Sequence, residues 1–255
     1  MFWRVMGVFA GLLLVLYATF CTYLYFAQRH VLYQPGASWL VRQTPDFNLH
    51  RGSVVLRGWV LNPGRPKALL YFGGNGERIE DRRDDIARWF PDRTVYLLPY
   101  RGYAMSGGEP TEDALVHDAQ ALFDEAARHH TNVAVIGRSL GSGVAVQLAA
   151  HRPVERLVLV TPFDSMLRVA QTQYPFAPVR WLLKDRYESS RYAVLIRCPV
   201  LVLRADDDLL VTADRTASLV ASFPITPQQV VIEGEGHNTI QDDPEYERAL
   251  KSFLR

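Results

Sequence analysis

The segment that decides the fold is Val133–Ala150, which reads VAVIGRSLGSGVAVQLAA. Its first four residues are apolar at every position, as in a strand of a parallel sheet that is covered on both faces. The residues after Gly141 are small and apolar, which is typical of a buried helix. The segment therefore predicts a strand, a tight turn at Gly137-Arg138-Ser139-Leu140-Gly141, and a helix.

Short β-rich runs alternate with longer helical patterns along the rest of the chain. This alternation predicts an α/β fold with a mostly parallel, doubly wound sheet and helices on both faces. The predicted strands are Ser53–Leu61, Ala68–Phe72, Thr94–Pro99, Val133–Gly137, Leu157–Val160, Val200–Arg204 and Gln229–Ile232. The predicted helices are Glu77–Phe90, Thr111–His130 with Thr111 near its N-cap, Ser139–His151, Thr212–Phe223 and Pro244–Leu254. Ala37–His50 shows no clear period, so no element is predicted there.

The N-terminal stretch Val5–Ala27 contains no charged residue. As a helix it extends about 35 Å, enough to cross a hydrocarbon core of about 30 Å. The residues at its end, Tyr25-Phe26-Ala27-Gln28-Arg29, do not form the small-residue site that a signal peptidase needs. We expect residues 1–30 to be a retained single-pass membrane anchor and residues 31–255 to be one α/β domain. A cleaved signal peptide and a buried core helix are the alternatives. The expected location is a bacterial inner membrane, and the flanking basic residues favour neither side for the domain.

The composition excludes several classes of function. The chain has 255 residues with 28 Lys+Arg against 27 Asp+Glu, so no basic field is available to gather nucleic acid. Its two cysteines, Cys21 and Cys198, rule out a disulfide-dense scaffold and a zinc site of paired cysteines. No histidine pair has metal-ligand spacing with nearby acids. We therefore expect no nucleic-acid partner, no metal and no cofactor.

The turn at Ser139 fits the pattern G-x-S-x-G and joins an apolar strand to a helix. A serine in this setting is held in a strained backbone conformation with its Oγ exposed above the sheet. The two flanking glycines keep the turn uncrowded, and the helix N-terminus favours developing negative charge. A glycine-rich turn with an incidental serine is the alternative, whereas a phosphate-binding loop would need a lysine. Ser139 is therefore the candidate nucleophile.

A serine nucleophile needs a base and a third group that orients the base. Among the seven histidines, His237 alone follows a late strand, in the flexible run Gly234-Glu235-Gly236-His237. The run Asp206-Asp207-Asp208 follows the preceding strand, which gives the chain order Ser, Asp, His. The three acids are not distinguished by position, and mutual repulsion favours solvation of two of them. A Ca²⁺ site is the competing interpretation, but the EF-hand pattern is absent.

Two backbone amides are the candidate donors of an oxyanion hole, which acyl transfer requires. One belongs to Leu140, directly after the candidate nucleophile. The other belongs to Asn75, in the turn Gly73-Gly74-Asn75-Gly76 that follows the strand Ala68–Phe72. Glycines let this turn approach a substrate closely.

In combination these stretches resemble the serine α/β-hydrolases, most closely the single-pass abhydrolase-domain proteins related to serine aminopeptidase-type hydrolases. The matching stretches, in chain order, are YFGGNG (71–76), YRGYAMSGGEP (100–110), GRSLG (137–141) and GHN (236–238). The resemblance implies that Asp208 is the acid, from a Gly-x-x-Asp-x-x-Val pattern in which Ala205 replaces Gly, with Asp207 as the alternative. It also implies a cap over the nucleophile, formed by the insert 161–198. The chain departs from its relatives at Gly73, where they have His, and at Thr212, where they have Pro.

We expect from this combination a membrane-anchored serine hydrolase that cleaves an ester, thioester or amide of a small-molecule or acyl substrate. The apolar and aromatic run 174–183 in the cap is consistent with a lipophilic substrate, and ordinary packing over the sheet edge explains it equally well. An aminopeptidase-type peptidase and a non-catalytic, membrane-tethered lipid-binding or interaction protein are the alternatives.

Overall fold

The computed structural model describes residues 1–38 and 43–255. The strands are β1 (Phe47–Arg51), β2 (Val54–Leu61), β3 (Lys67–Phe72), β4 (Arg93–Leu97), β5 (Asn132–Arg138), β6 (Leu157–Val160), β7 (Val200–Ala205) and β8 (Gln228–Ile232). The helices are α1 (Phe2–Tyr33), α2 (Arg83–Trp89), α3 (Glu112–Ala127), α4 (Leu140–His151), α5 (Met166–Gln173), α6 (Val179–Leu182), α7 (Ser189–Ala193), α8 (Ala213–Val220) and α9 (Pro244–Leu254). Short 3₁₀ helices cover Pro35–Ser38, Ile79–Arg82 and Ile240–Asp242.

The strands of the described chain form one sheet in the order β1-β2-β4-β3-β5-β6-β7-β8. β1 and β2 pair antiparallel, as do β2 and β4, and every other neighbouring pair is parallel. The register between β3 and β5 pairs Tyr71 with Ile136 and Phe72 with Gly137. The carboxyl ends of these two strands therefore lie side by side. This arrangement brings the turn after β3 next to the turn at Ser139.

Both faces of the sheet are covered, as the apolar runs predict. In β5, Val133 and Val135 contribute to a core beneath α3 and α4, whereas Ala134 and Ile136 contribute to a second core beneath α2 and α9. All four side chains are at most 4% exposed. Burying an aliphatic side chain of this size contributes roughly 1.5–3 kcal/mol. A strand buried on both faces is a rigid support for the turn at Ser139 that follows it.

The structure confirms the predicted strands, with each bound shifted by no more than two residues. The predicted helix cap is also present, since Thr111 Oγ1 accepts a hydrogen bond from the Ala114 amide. The prediction of one continuous helix over Glu77–Phe90 was wrong. Residues Ile79–Arg82 form a 3₁₀ turn, and α2 begins only at Arg83. Glu77 itself is held elsewhere, as described below.

Strand β1 has no counterpart in the prediction, which gave no element to Ala37–His50; residues 39–42 of that stretch lie outside the described residues. β1 lies at the edge of the sheet, pairs only with β2 and buries a single side chain, that of Leu49. A strand with one buried residue carries almost no apolar alternation, which explains why the sequence pattern does not reveal it.

Helix α1 is long and apolar enough, by length and composition, to cross a membrane, and its most apolar window makes no buried contact with the domain. It continues to Tyr33, three residues past the predicted end of the anchor, before Gln34 ends it in the left-handed conformation with φ 49°. Tyr33 is fully buried in the domain. The last turn of the helix is therefore part of the folded α/β unit.

Candidate active site

Ser139 forms the sharp turn between β5 and α4. Its backbone has φ 50° and ψ −116°, a left-handed φ that a residue with a side chain rarely adopts. A Cβ on Gly137 would overlap the carbonyl oxygen of Gly141, and a Cβ on Gly141 would overlap that of Phe72. The strained conformation and the need for both glycines, which the G-x-S-x-G pattern predicts, are therefore confirmed.

His237 reaches Ser139 from the loop after β8. The distance from His237 Nε2 to Ser139 Oγ is 2.8 Å, and the two side chains are almost completely buried. The hydrogen-bond pattern assigns Nε2 as the acceptor of the serine hydroxyl proton, because the other ring nitrogen, Nδ1, faces a carboxylate and donates to it. A neutral imidazole in this tautomer is ready to accept the proton of the hydroxyl group.

The carboxylate that faces His237 is that of Asp208. Its Oδ2 lies 2.7 Å from His237 Nδ1, and its Oδ1 accepts hydrogen bonds from the amides of Leu210 and Val211 at 2.9 and 2.8 Å. Asp206 and Asp207 are exposed, so two of the three acids are solvated as predicted. The geometry favours Asp208 over Asp207, in agreement with what the resemblance implies. The three residues proposed from positions far apart in the chain therefore meet at the carboxyl edge of the sheet.

The turn after β3 packs directly against the serine. A Cβ on Gly74 would touch Ser139 Cβ at 3.6 Å, an ordinary contact distance, and would crowd Arg138 Nη1 at 2.9 Å. Asn75 and Leu140 line the same cavity as Ser139. Within residues 1–38 and 43–255, neither of their amides donates a hydrogen bond to another protein group. Both remain available as donors to a substrate oxygen.

The last turn of α1 supports the candidate oxyanion turn, Gly73-Gly74-Asn75-Gly76. The Tyr33 carbonyl oxygen accepts hydrogen bonds from the Gly76 amide at 3.0 Å and from the Tyr103 hydroxyl. The Tyr33 hydroxyl lies 3.0 Å from that of Tyr187. The backbone on one side of Asn75 is therefore fixed by the N-terminal helix.

A buried ion pair fixes the other side of the oxyanion turn. Arg138 Nη1 lies 3.0 Å from Glu77 Oε2, and both side chains are at most 13% exposed. The same Glu77 oxygen accepts a hydrogen bond from the Gly74 amide at 2.6 Å, and Oε1 accepts one from the Tyr71 hydroxyl at 2.7 Å. Burial lowers the pKa of Arg138, but the Glu77 carboxylate, together with Tyr71 and Tyr246, outweighs this effect and raises the pKa above its ordinary value, so that the guanidinium stays charged.

Arg138 also holds the loop that carries the histidine. Its Nη2 donates to the His237 carbonyl oxygen and to Asn238 Oδ1, both at 3.2 Å. Arg138 and Glu77 thus connect the oxyanion turn to the histidine loop through one charged side chain each. Neither role was predicted from the sequence, although a signal was present: Arg138 ends β5, and the oppositely charged Glu77 lies five residues after the end of β3, the neighbouring parallel strand.

The cavity above Ser139 has a volume of about 400 Å³, which lies within the range of small-molecule sites. Helices α5 and α6 of the insert 161–198 form one wall, as expected for a cap. No charged side chain lines the cavity among the described residues, and no group of three or more metal-binding side chains is found among them. Cys198 lies outside the cavity, and burial raises the pKa of its thiol to about 11, which makes it a poor nucleophile.

Comparison with known proteins agrees with this description. An uncharacterized protein of Mycobacterium tuberculosis strain H37Rv is 34% identical over 233 residues, which cover 86% of this chain and 82% of the relative. The lysophosphatidylserine lipase ABHD12 of Xenopus tropicalis is 27% identical over 228 residues, covering 76% of this chain and 59% of that protein. No family profile matches the chain.

Among solved structures, the esterase Pf2001 of Pyrococcus furiosus superposes with a TM-score of 0.67 at 20% identity, covering 86% of this chain and 93% of the esterase. The sheet order, the strained serine turn and these relatives define the class. This chain belongs to the α/β-hydrolase superfamily.

Proposed function

We propose that this protein is a membrane-anchored serine hydrolase that cleaves an ester, thioester or amide through an acyl-enzyme. The observation that carries the proposal is the continuous chain of hydrogen bonds from Ser139 Oγ through the His237 ring to Asp208, with 2.8 Å and 2.7 Å between the heavy atoms. A serine, an imidazole and a carboxylate in this order are what activation of a hydroxyl group requires.

In the first half of the reaction, His237 Nε2 takes the hydroxyl proton as Ser139 Oγ attacks the substrate carbonyl carbon. Asp208 holds the imidazole in the required tautomer and stabilises the imidazolium that forms. The negative charge that develops on the carbonyl oxygen is bound by the amides of Asn75 and Leu140. His237 then donates its proton to the leaving group, and the acyl group remains on Ser139.

In the second half, water replaces the leaving group. His237 accepts a proton from the water as it attacks the acyl-enzyme, and the same two amides stabilise the second tetrahedral intermediate. The proton then returns to Ser139 Oγ as the acid product leaves. The Arg138–Glu77 pair takes no part in proton transfer, because its role is to keep the oxyanion turn and the histidine loop in register.

The membrane part of the proposal rests on α1. The helix contains the uncharged stretch Val5–Ala27, and the side chains of residues 2–20 are exposed, which is unfavourable in water. Trp3, Tyr23 and Tyr25 lie towards the ends of the stretch, where aromatic rings favour the membrane interface. Insertion into a bilayer would remove these apolar side chains from water.

The cavity favours an acyl substrate over a peptide with a free amino terminus. An amino terminus needs a carboxylate partner, and no acidic side chain lines the cavity in the part of the chain that the structure describes. Its lining is mostly aliphatic, with glutamine, asparagine and tyrosine as the polar exceptions besides the serine. Apolar walls suit an acyl chain.

Labelling with a fluorophosphonate probe, together with hydrolysis of p-nitrophenyl esters, tests the proposal. The unchanged protein should be labelled at Ser139, and Ser139→Ala should abolish labelling and lower kcat roughly 10⁶-fold, the loss seen when a serine nucleophile is removed. Ser222→Ala is the matched control, since Ser222 lies in the turn after α8 and its hydroxyl donates to the Ser218 carbonyl oxygen. A folded protein that is neither labelled nor active would instead favour a non-catalytic lipid-binding protein.

A further inference from the structure

The N-terminal helix forms one wall of the cavity above Ser139. Leu24, Gln28, Val31 and Leu32 line the cavity. Their spacing of three and four residues places them along one stripe of α1. Residues of α5 and α6 line the same cavity, as does Ser139. The space in which a substrate would lie is therefore shared between the membrane helix and the cap.

Polar contacts hold α1 against the cap and fix its position along the helix axis. Gln28 bonds both the carbonyl oxygen of Leu182 and the amide of Lys184, at 3.0 and 2.8 Å. Arg29 forms an ion pair of 2.9 Å with Asp185, which is almost fully buried. The Lys184 ammonium lies 3.9 Å from the centre of the Tyr25 ring. The wall that α1 provides is thus part of the folded site and keeps its register with the cap.

The cap extends along the part of α1 that would lie in the membrane. The Tyr17 hydroxyl donates a hydrogen bond of 3.1 Å to the Phe176 carbonyl oxygen in the cap. A helix needs about 20 apolar residues to span a bilayer. Every stretch of about 20 residues within Val5–Ala27 includes Tyr17 and ends at Leu24 or later. Leu24 lies about 10 Å beyond Tyr17 along the helix axis. With α1 spanning a bilayer as proposed, the cap edge at Phe176 would lie below the membrane surface.

The cap edge has the composition that such a position requires. Phe176 and Trp181 are 87% and 81% exposed, and Leu209, on the neighbouring loop, is 86% exposed. The Gln173 side chain bonds the Leu209 carbonyl oxygen, so this loop lies against the cap. Large apolar side chains exposed together at the mouth of an apolar cavity indicate contact with lipid.

We propose that α1 and the cap form one acyl-binding groove that opens sideways into the bilayer, so that the substrate is a lipid-borne acyl ester whose chain lies against Leu24, Val31 and Leu32. This inference rests on the proposed function and specifies how its substrate reaches Ser139. A lipid in the membrane has its acyl chain at the depth of Leu24 already, and entry between α1 and the cap never exposes the chain to water. The anchor is then part of the substrate site.

Chain-length selectivity of the full-length protein in phosphatidylcholine vesicles tests the groove. The measurement is the ratio of kcat/KM for p-nitrophenyl palmitate to that for p-nitrophenyl acetate. Leu24→Trp fills the groove at its mouth and should lower this ratio at least about tenfold. That factor corresponds to the loss of binding free energy from roughly two methylene groups of the acyl chain that are no longer buried. Phe26→Trp is the matched control, because Phe26 is 77% exposed on the other side of the same helix turn, and its ratio should stay within about twofold of the unchanged protein.

The outcomes separate this inference from the proposed function. If the unchanged protein is neither labelled by the fluorophosphonate probe nor active, both proposals fail. If it is active and Leu24→Trp is labelled at Ser139 but keeps its ratio within twofold, the groove is wrong and the hydrolase stands. If Leu24→Trp is not labelled because it misfolds, Val31→Trp, a partly exposed position in the same stripe, decides by the same ratio.

The depth of the cap edge is tested without turnover. Phosphatidylcholine with bromine on its acyl chains quenches tryptophan fluorescence on contact, and Trp181 should be quenched. Trp181→Phe should therefore remove part of the quenchable fluorescence. The same quenchable signal in both proteins would place Trp181 outside the bilayer and would overturn sideways entry.

Discussion

Glu77→Gln should destabilise the protein far more than its conservative character suggests. The glutamine oxygen can still accept the Gly74 amide hydrogen bond, but its NH2 group replaces the oxygen that accepts from the Tyr71 hydroxyl. The substitution therefore removes the negative charge and one acceptor, and the charge is the larger loss. Arg138 is then left as a buried cation whose remaining partners, the His237 carbonyl oxygen and the Asn238 side chain, are neutral. Removing one partner of a buried ion pair costs about 3–5 kcal/mol. For a domain of this size, about 2–4 °C of Tm per kcal/mol gives a decrease of roughly 6–20 °C.

Thermal unfolding in detergent, followed by circular dichroism, measures the decrease. Glu125→Gln is the matched control, because its partner Arg128 is 71% exposed and an exposed pair is worth at most about 1 kcal/mol. The double variant Glu77→Gln with Arg138→Gln supplies the decisive comparison. Without the unpaired charge, it should melt at a higher temperature than Glu77→Gln alone. A double variant that melts lower than the single variant, or a single variant indistinguishable from Glu125→Gln, would refute the reasoning.

Two further substitutions follow from the site geometry. Asp208→Asn should lower kcat about 10⁴-fold, because an amide can hold the imidazole in the wrong tautomer. Asp207→Asn is the control and should change kcat little, since that side chain is exposed. Steady-state ester hydrolysis measures both variants, and equal losses would mean that Asp208 is not the acid of the triad. Gly141→Ala should destabilise the fold by about 1–3 kcal/mol or more, because the added Cβ overlaps the Phe72 carbonyl oxygen. Its control is Gly7→Ala, where a Cβ meets open space, and unchanged Tm values for both would contradict the crowding of the serine turn.

The strands and the candidate site could be predicted because their signals are local. Val133–Ile136 and Leu157–Val160 are apolar at every position, and their shortness and β-branched residues favour a strand buried on both faces over a buried helix. The G-x-S-x-G turn fixes its own backbone geometry through the two glycines. The position of His237 follows from the rule that parallel strands present their reactive loops at one edge.

What the sequence did not reveal depends on contacts between distant segments. Arg138 and Glu77 are separated by sixty-one positions and become partners only because β3 and β5 are neighbours in the sheet. Likewise, the apolar residues of α1 satisfy a membrane pattern whether or not they also line a cavity. The residues alone did not distinguish adjacent acids in one loop, and the resemblance implied Asp208 with Asp207 as the alternative; the position of the imidazole favours Asp208.

The burial of Tyr33 has a practical consequence for preparing this enzyme. A soluble version that starts after α1, at Gln34, would lack the Tyr33 carbonyl oxygen that accepts from the Gly76 amide and the Tyr103 hydroxyl, and also the hydroxyl group that neighbours that of Tyr187. A buried donor that has lost its acceptor destabilises the backbone around it, and the Gly76 amide lies directly after Asn75. Low activity of such a truncated protein would therefore reflect the loss of the Tyr33 contacts and would not measure the activity of the full-length protein.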